Sequence, residues 1–137
     1  MGKREPLSPL TKWIVLYRDN FTCQKCGKKA IFKLWPGEPE DPNGPFCDLI
    51  VHHIEGPTSN DYDNLITLCQ NCHFMVHGGS WKNKPIEKFN PRPITTEIIF
   101  EGMRDYYRRQ DYVNDYFFRS MFNEYKKKVR EVAKFIG

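Results

Sequence analysis

No run of apolar residues in this chain approaches the roughly 20 needed to cross a bilayer. That excludes a membrane-spanning role. The opening Met1-Gly2-Lys3-Arg4-Glu5 lacks the apolar core of a secretion signal. A soluble, cytoplasmic protein is therefore expected. No internal repeat is visible, and the one biased tract is a short proline-rich stretch. Cysteine is scarce, five in 137 residues. In a reducing compartment five thiols do not make a disulfide framework. A strong charge of one sign is also missing. The formal net charge of +4 permits a polyanionic partner without demanding one. Length bounds the rest: 137 residues suffice for one compact core with an appended element, not for two cores. Aromatics, by contrast, are plentiful at 15%, enough that some should serve a surface.

Along the chain, Ser8-Pro9 reads as an N-cap and a first-turn proline. Leu10, Trp13, Ile14 and Tyr17 then recur at helical spacing up to about Asp19-Asn20. Residues 30–35 suit a strand. Pro36 to Pro45 holds four prolines and three acids in ten residues, which excludes helix and central strand and predicts an exposed loop. Cys47 to Ile54 alternates like a strand, and Leu65 to Leu68 suits a second one. Gln70 to His77 suits two helical turns stopped by Gly78-Gly79. Residues 80–93 look like a linker. From Thr95 the pattern is helical, with Val113, Phe117, Met121, Tyr125, Val129, Val132 and Ile136 in one long apolar stripe.

Four of the five cysteines form two pairs, Cys23/Cys26 and Cys69/Cys72. A two-residue gap lets both thiolates of a pair reach one ion, and four thiolates suit tetrahedral zinc. Such a closed shell leaves no open position, so a structural Zn²⁺ is expected, one that contributes folding free energy directly. Forty-two residues separate Cys26 from Cys69, so something is inserted between the halves. Cys47 has no partner in this pattern and reads as a strand residue of the core.

The insert carries the second signal. The four histidines all fall between residues 52 and 77. His52 and His53 are adjacent, and on a strand adjacent side chains point to opposite faces. One can bind a metal while the other moves protons, a task for which imidazole titrates in the right range. His73 and His77 stand four apart and would share a helix face.

Val51-His52-His53-Ile54, then Asn64-Leu65, then Cys69-Gln70-Asn71-Cys72-His73 with His77 beyond, resemble the HNH nuclease motif. Arg18 to Gly27 also looks like the lead-in common in that family, and the resemblance covers roughly residues 17–78. It implies an α+β fold, a small ββα-metal core with a zinc knuckle, an N-terminal helix and C-terminal helices. It implies His53 as general base, His52 and His73 as ligands of a catalytic divalent ion, and Asn64 as the residue fixing the loop and orienting the base. The implied reaction is DNA phosphodiester hydrolysis, nicking or double-strand, leaving 5′-phosphate and 3′-hydroxyl ends. His77 either completes the metal site, as in some members, or contacts a phosphate or the helix dipole. Many members carry aspartate where His52 stands. An oxygen ligand suits Mg²⁺, while imidazoles favour transition ions, so Mg²⁺, Mn²⁺, Ni²⁺ and Zn²⁺ all remain open.

Arg18, Lys25 and Lys28 flank the first knuckle and are candidates for DNA contact, against the plain reading of solvated charges. Arg104, Arg108 and Arg109 stand among tyrosines, a mixture that can grip phosphates and stack on bases. For the apolar stripe, packing on the core or on a second copy is the favoured reading. The expected organisation is a nuclease core over 1–79, a linker over 80–93 and a helical extension over 94–137. DNA is the expected partner, with a homodimer through the C-terminal helices and a phage or mobile-element partner as further possibilities. The competing functions are a zinc-knuckle protein that binds nucleic acid without cutting it, and an adaptor that binds protein through its aromatic helices.

Overall fold

A computed structural model describes residues 6–36, 40–55, 59–77 and 89–136. Helix α1 spans Pro9–Arg18. Its start is the expected one: the Ser8 hydroxyl accepts from the Thr11 amide at 3.1 Å, and Pro9 occupies the first turn. The helix ends where Asn20 and Phe21 take left-handed conformations, φ 56° and 49°. The chain then enters the first cysteine turn. That turn is closed by Gly27, whose amide reaches the Cys23 carbonyl at 2.9 Å with φ +81°.

Strands β1 (Phe32–Lys33) and β2 (Phe46–Cys47) form one short antiparallel pair. Strands β3 (Ile50–His53) and β4 (Leu65–Leu68) form another, in the register Ile50↔Leu68 to His53↔Leu65. The single strand expected over 47–54 is therefore two strands in two sheets. Asp48 divides them. Its carboxylate accepts from the Ile31 amide at 2.8 Å and the Lys28 ammonium at 2.9 Å, and it turns the chain between its two pairing partners. A single turn of 3-10 helix, Tyr62–Asn64, leads into β4, and helix α2 follows over Gln70–His77. The glycine stop at 78–79 and most of the expected linker lie outside the described residues.

Every residue of β4 is buried. Beneath it lies an ion pair that takes no part in the sequence pattern. Arg18 and Asp19 side chains are fully buried and meet at 3.0 Å. Asp19 also accepts from the Thr67 amide at 3.0 Å, while Arg18 donates to the carbonyls of Tyr62 and Leu65. The pair thus clamps α1 to both ends of β4. Removing one partner strands the other charge without water, a loss of about 3–5 kcal/mol. Asp19→Ala is expected to lower the unfolding free energy by that amount in a denaturant titration; a change under about 1 kcal/mol would show that the clamp is dispensable.

The C-terminal region is one continuous helix, α3, over Thr96–Ile136, not several. At about 1.5 Å per residue its 41 residues extend roughly 60 Å. Its first third packs on α1. Trp13 donates to Asp105 at 2.8 Å, Tyr17 donates to Glu101 at 2.9 Å, and Gly102 lets the α3 backbone approach Ile14 closely. The end of the proline-rich loop holds it from the other side: Pro36, Glu40 and Pro42 are exposed as expected, but the last two residues turn inward. Gly44 and Pro45 are buried, and a Cβ on Gly44 would sit 2.1 Å from the Lys33 carbonyl oxygen. Arg109 is buried too. It donates to the Pro42 and Gly44 carbonyls at 2.9 and 2.8 Å, with its guanidinium 4.2 Å from the Phe32 ring centre. Tyr112 donates to Asp41 at 2.9 Å. Beyond the contact of Tyr116 with Trp35, residues 117–134 are all exposed. Among the described residues, no helix is long and apolar enough to cross a membrane.

Candidate functional site

The four cysteines converge from two elements. The turn after α1 brings Cys23 and Cys26, and the β4–α2 junction brings Cys69 and Cys72. The two halves are joined by the Gln24 amide donating to the Thr67 carbonyl at 3.0 Å. All four sulfurs lie within 4.8 Å of one another, and Cys26 Sγ is 3.6 Å from Cys69 Sγ. Four thiolates at about 2.3 Å from a tetrahedral ion would stand about 3.8 Å apart. The donor set and its spacing therefore fit a metal ion. Cys23, Cys69 and Cys72 are buried and Cys26 is exposed. Burial pushes the Cys23 thiol up, yet the amides of Cys26, Cys69 and Lys25 outweigh it and bring Cys23 down to about 6. Burial and the neighbouring sulfurs push Cys72 well above an ordinary thiol. Cys47 lies outside the cluster, packed against the core at β2, and burial raises it as well.

The histidines are set by the β3 hairpin and α2. Strand alternation separates His52 from His53: His52 is buried and His53 half-buried. His52 faces His73, the first histidine of α2, with ring centres 5.4 Å apart and Phe89 at 6.2 Å. Two imidazoles on one ion, each bound at about 2.0–2.1 Å, would place their ring centres about 5 Å apart. The pair fits a shared cation. His77 follows one turn later on α2. Among the described residues the four cysteines gather three or more ligand atoms within 4.8 Å; the side chain of His77 lies outside the described residues.

His53 has a partner that sequence reasoning missed. Its Nε2 lies 2.9 Å from the Asn60 side-chain oxygen. That oxygen can only accept, so the contact makes Nε2 the donor, and in the neutral imidazole the lone pair then sits on Nδ1. Nothing in the spacing marked Asn60, because it sits in a polar loop without periodicity. Asn64 ties the loop down. Its side-chain oxygen accepts from the Glu55 amide at 2.8 Å, its side-chain amide donates to the Ser59 carbonyl at 2.8 Å, and its own carbonyl accepts from the Ile54 amide. Beside this loop is an open cavity of about 310 Å³ lined by Glu55, Ser59, Asp61, Asp63, Asn64 and Phe89 among others. Among the described residues no histidine lines it, and its three carboxylates would repel a phosphate.

The basic residues expected near DNA divide. Arg18 is inside the fold, in the clamp described above, and is corrected from a surface contact to a structural one. Lys25 is exposed on the cysteine turn. Lys28 is exposed and pairs with Asp48 at 2.9 Å. Arg109 faces inward, and Arg108 bonds Asp105 and Asn43 at 2.9 and 3.3 Å.

Comparison with known proteins follows the same boundaries. Residues 23–79 match the model of the HNH endonuclease family. Over 72 residues, half of this chain, the sequence is 35% identical to the type IV methyl-directed restriction enzyme EcoKMcrA of Escherichia coli (strain K12). The chain spans 23% of that enzyme's length. No solved structure matches.

Proposed function

Residues 23–79 match the HNH endonuclease family model, and from that premise we propose that the chain is a metal-dependent DNA endonuclease that hydrolyses phosphodiester bonds. The observation that carries this reading is the division of labour on β3. His52 turns inward to His73, while His53 turns the other way and is held by Asn60.

His53 is the general base. With Nε2 donating to Asn60, its Nδ1 takes a proton from the attacking water. The water oxygen bonds to phosphorus as the bond to the 3′-oxygen breaks. The products are a 5′-phosphate and, once the leaving oxygen takes a proton from solvent, a 3′-hydroxyl. His52 and His73, with His77 one turn further along α2, hold a divalent cation in this reading. Such a cation would supply positive charge to the scissile phosphate and to the leaving oxygen. Asn64 fixes the loop that carries Asn60, so it acts on the base at one remove. An imidazole ligand set favours transition ions over Mg²⁺. The four cysteines hold a structural Zn²⁺ that does no chemistry. Lys25 and Lys28, both exposed, remain candidate DNA contacts, Lys28 beside its pair with Asp48. The Escherichia coli relative is a restriction enzyme, which makes restriction in a bacterial cytoplasm the role we favour over homing or packaging.

The test is plasmid cleavage. Supercoiled DNA incubated with the protein and Mn²⁺, Mg²⁺, Ni²⁺ or Zn²⁺ is expected to become nicked or linear, most readily with a transition ion. Intact supercoiled plasmid under all four metals, with DNA still bound in a gel-shift assay, would favour the zinc-knuckle binder instead.

A further inference from the structure

The far part of α3 is an amphipathic helix with nothing against it among the described residues. Phe117, Met121, Tyr125, Val129 and Val132 run along one side, each 48–63% exposed. Phe118 and Phe122 lie beside them at 70% and 49%. At 100° per residue these seven side chains share one half of the helix, and Arg119, Arg130 and Lys134 fall on the other half. A helical stretch of this length draws most of its stability from packing of its apolar face, not from propensity. An uncovered apolar face of this size on a soluble domain is normally an interaction site.

The observations favour a second copy of this chain as the partner. The first argument is area. Aromatic and large aliphatic side chains expose on the order of 100 Å² each at half exposure, so seven offer roughly 700 Å², close to the 800 Å² that each partner contributes to a standard interface. The second argument is charge. The acidic residues nearest the body, Asp111 and Asp115, precede the stripe, while Lys126, Lys127, Lys128, Arg130 and Lys134 lie toward its end. A parallel pairing would set those five cations against their own copies. An antiparallel pairing centred between Ser120 and Met121 sets Asp115 of each chain opposite Lys126 of the other, both on one flank of the stripe. It also opposes the two helix dipoles. Asp115 now meets Arg119 at 3.1 Å in a pair exposed at 78% and 59%, so little is lost by sharing it. The third argument is the anchoring of the base of α3. Arg109, Tyr112 and the Trp13–Asp105 bond fix the direction in which the helix leaves the body.

We propose that two copies of this chain associate through an antiparallel pairing of their α3 helices over residues 113–132. The pairing leaves the basic side of each helix outward, and it carries the two histidine sites at opposite ends of one assembly. It holds whether or not the chain cuts DNA.

The full-length protein with its metal is measured by light scattering and by sedimentation at micromolar concentration, without DNA. A dimer mass is expected. Phe117→Glu with Met121→Glu is expected to give a monomer that keeps the thermal transition and zinc content of the parent. Orientation is read from charge reversal. Asp115→Lys and Lys126→Glu should each raise the dissociation constant several-fold, and the two together should restore it. If the double reversal fails to restore the affinity, the antiparallel geometry is wrong. If the unmodified protein is a monomer, the proposal falls, whether the stripe then binds anionic vesicles or DNA.

Discussion

Replacing His53 by alanine is expected to slow plasmid cleavage by about 10²–10⁴-fold, the usual contribution of a positioned proton acceptor. At 1.36 kcal/mol per tenfold, that is about 3–5 kcal/mol of barrier. The fold should not follow the activity down. His53 is half-buried at the end of β3, outside the buried core cluster, so its thermal transition is expected to stay close to that of the parent. DNA affinity in a gel-shift assay should also hold, because the base contributes to the reaction more than to binding. Equal cleavage by parent and His53→Ala under the preferred metal would remove His53 from its role. The Asn60 contact adds a readout that packing alone would not produce. Asn60→Asp places a carboxylate against Nε2, which favours the charged imidazole and raises its pKa. A base works only when it is unprotonated, so the acid limb of the pH–rate profile should move to higher pH. If Asn60 served only to shape the loop, that limb would stay where it is.

The elements legible in the sequence are those whose signal is local. The Ser8-Pro9 start of α1, the two cysteine turns and the opposite faces of His52 and His53 all follow from spacing over a few residues, and the structure has each of them. What was not legible depends on partners distant in sequence. Arg18 looks like a helix-end surface charge until β4 folds over it, 47 residues on at Leu65. Arg109 has the surroundings of a phosphate-gripping arginine, and its actual partners are carbonyls in a loop 65 and 67 residues away. That loop could be read as non-regular and exposed from its prolines, but the burial of its Gly44-Pro45 end could not, because nothing local says that α3 closes over it. Asp48 is a similar case: one acid accepting from Ile31 and Lys28 splits an apparently continuous strand. The apolar stripe of α3 is the converse. Its periodicity is plain, yet periodicity cannot tell a face that packs within the chain from one that packs on a second molecule.

The largest stability effect is expected at the cysteine cluster. Zn²⁺ binding to four-ligand sites in small domains contributes on the order of 10 kcal/mol or more, and whole domains are stable by only about 5–15 kcal/mol. The cluster joins the two halves of the core: Cys23, Cys69 and Cys72 are themselves core residues, packed with Trp13, Leu16, Leu49 and Ile66. Without the ion, that centre is four sulfurs crowded within 4.8 Å, of which Cys72 is strongly held in its protonated form. Metal analysis of the purified protein should find one zinc per chain that survives dialysis against a weak chelator. A strong zinc chelator should abolish the cooperative thermal transition, and Cys69→Ser should do the same without any chelator. Cys47→Ser serves as the control, since Cys47 lies outside the cluster, and it should keep both the zinc and the transition. The weak chelator separates the two metals. It should stop cleavage by emptying the histidine site while leaving the thermal transition in place, and added Mn²⁺ should restore cutting. If Cys69→Ser still unfolds cooperatively near the parent's midpoint, the cluster is not what holds α1 to the hairpin. The Arg18–Asp19 clamp and the Trp13 packing would then have to do that alone.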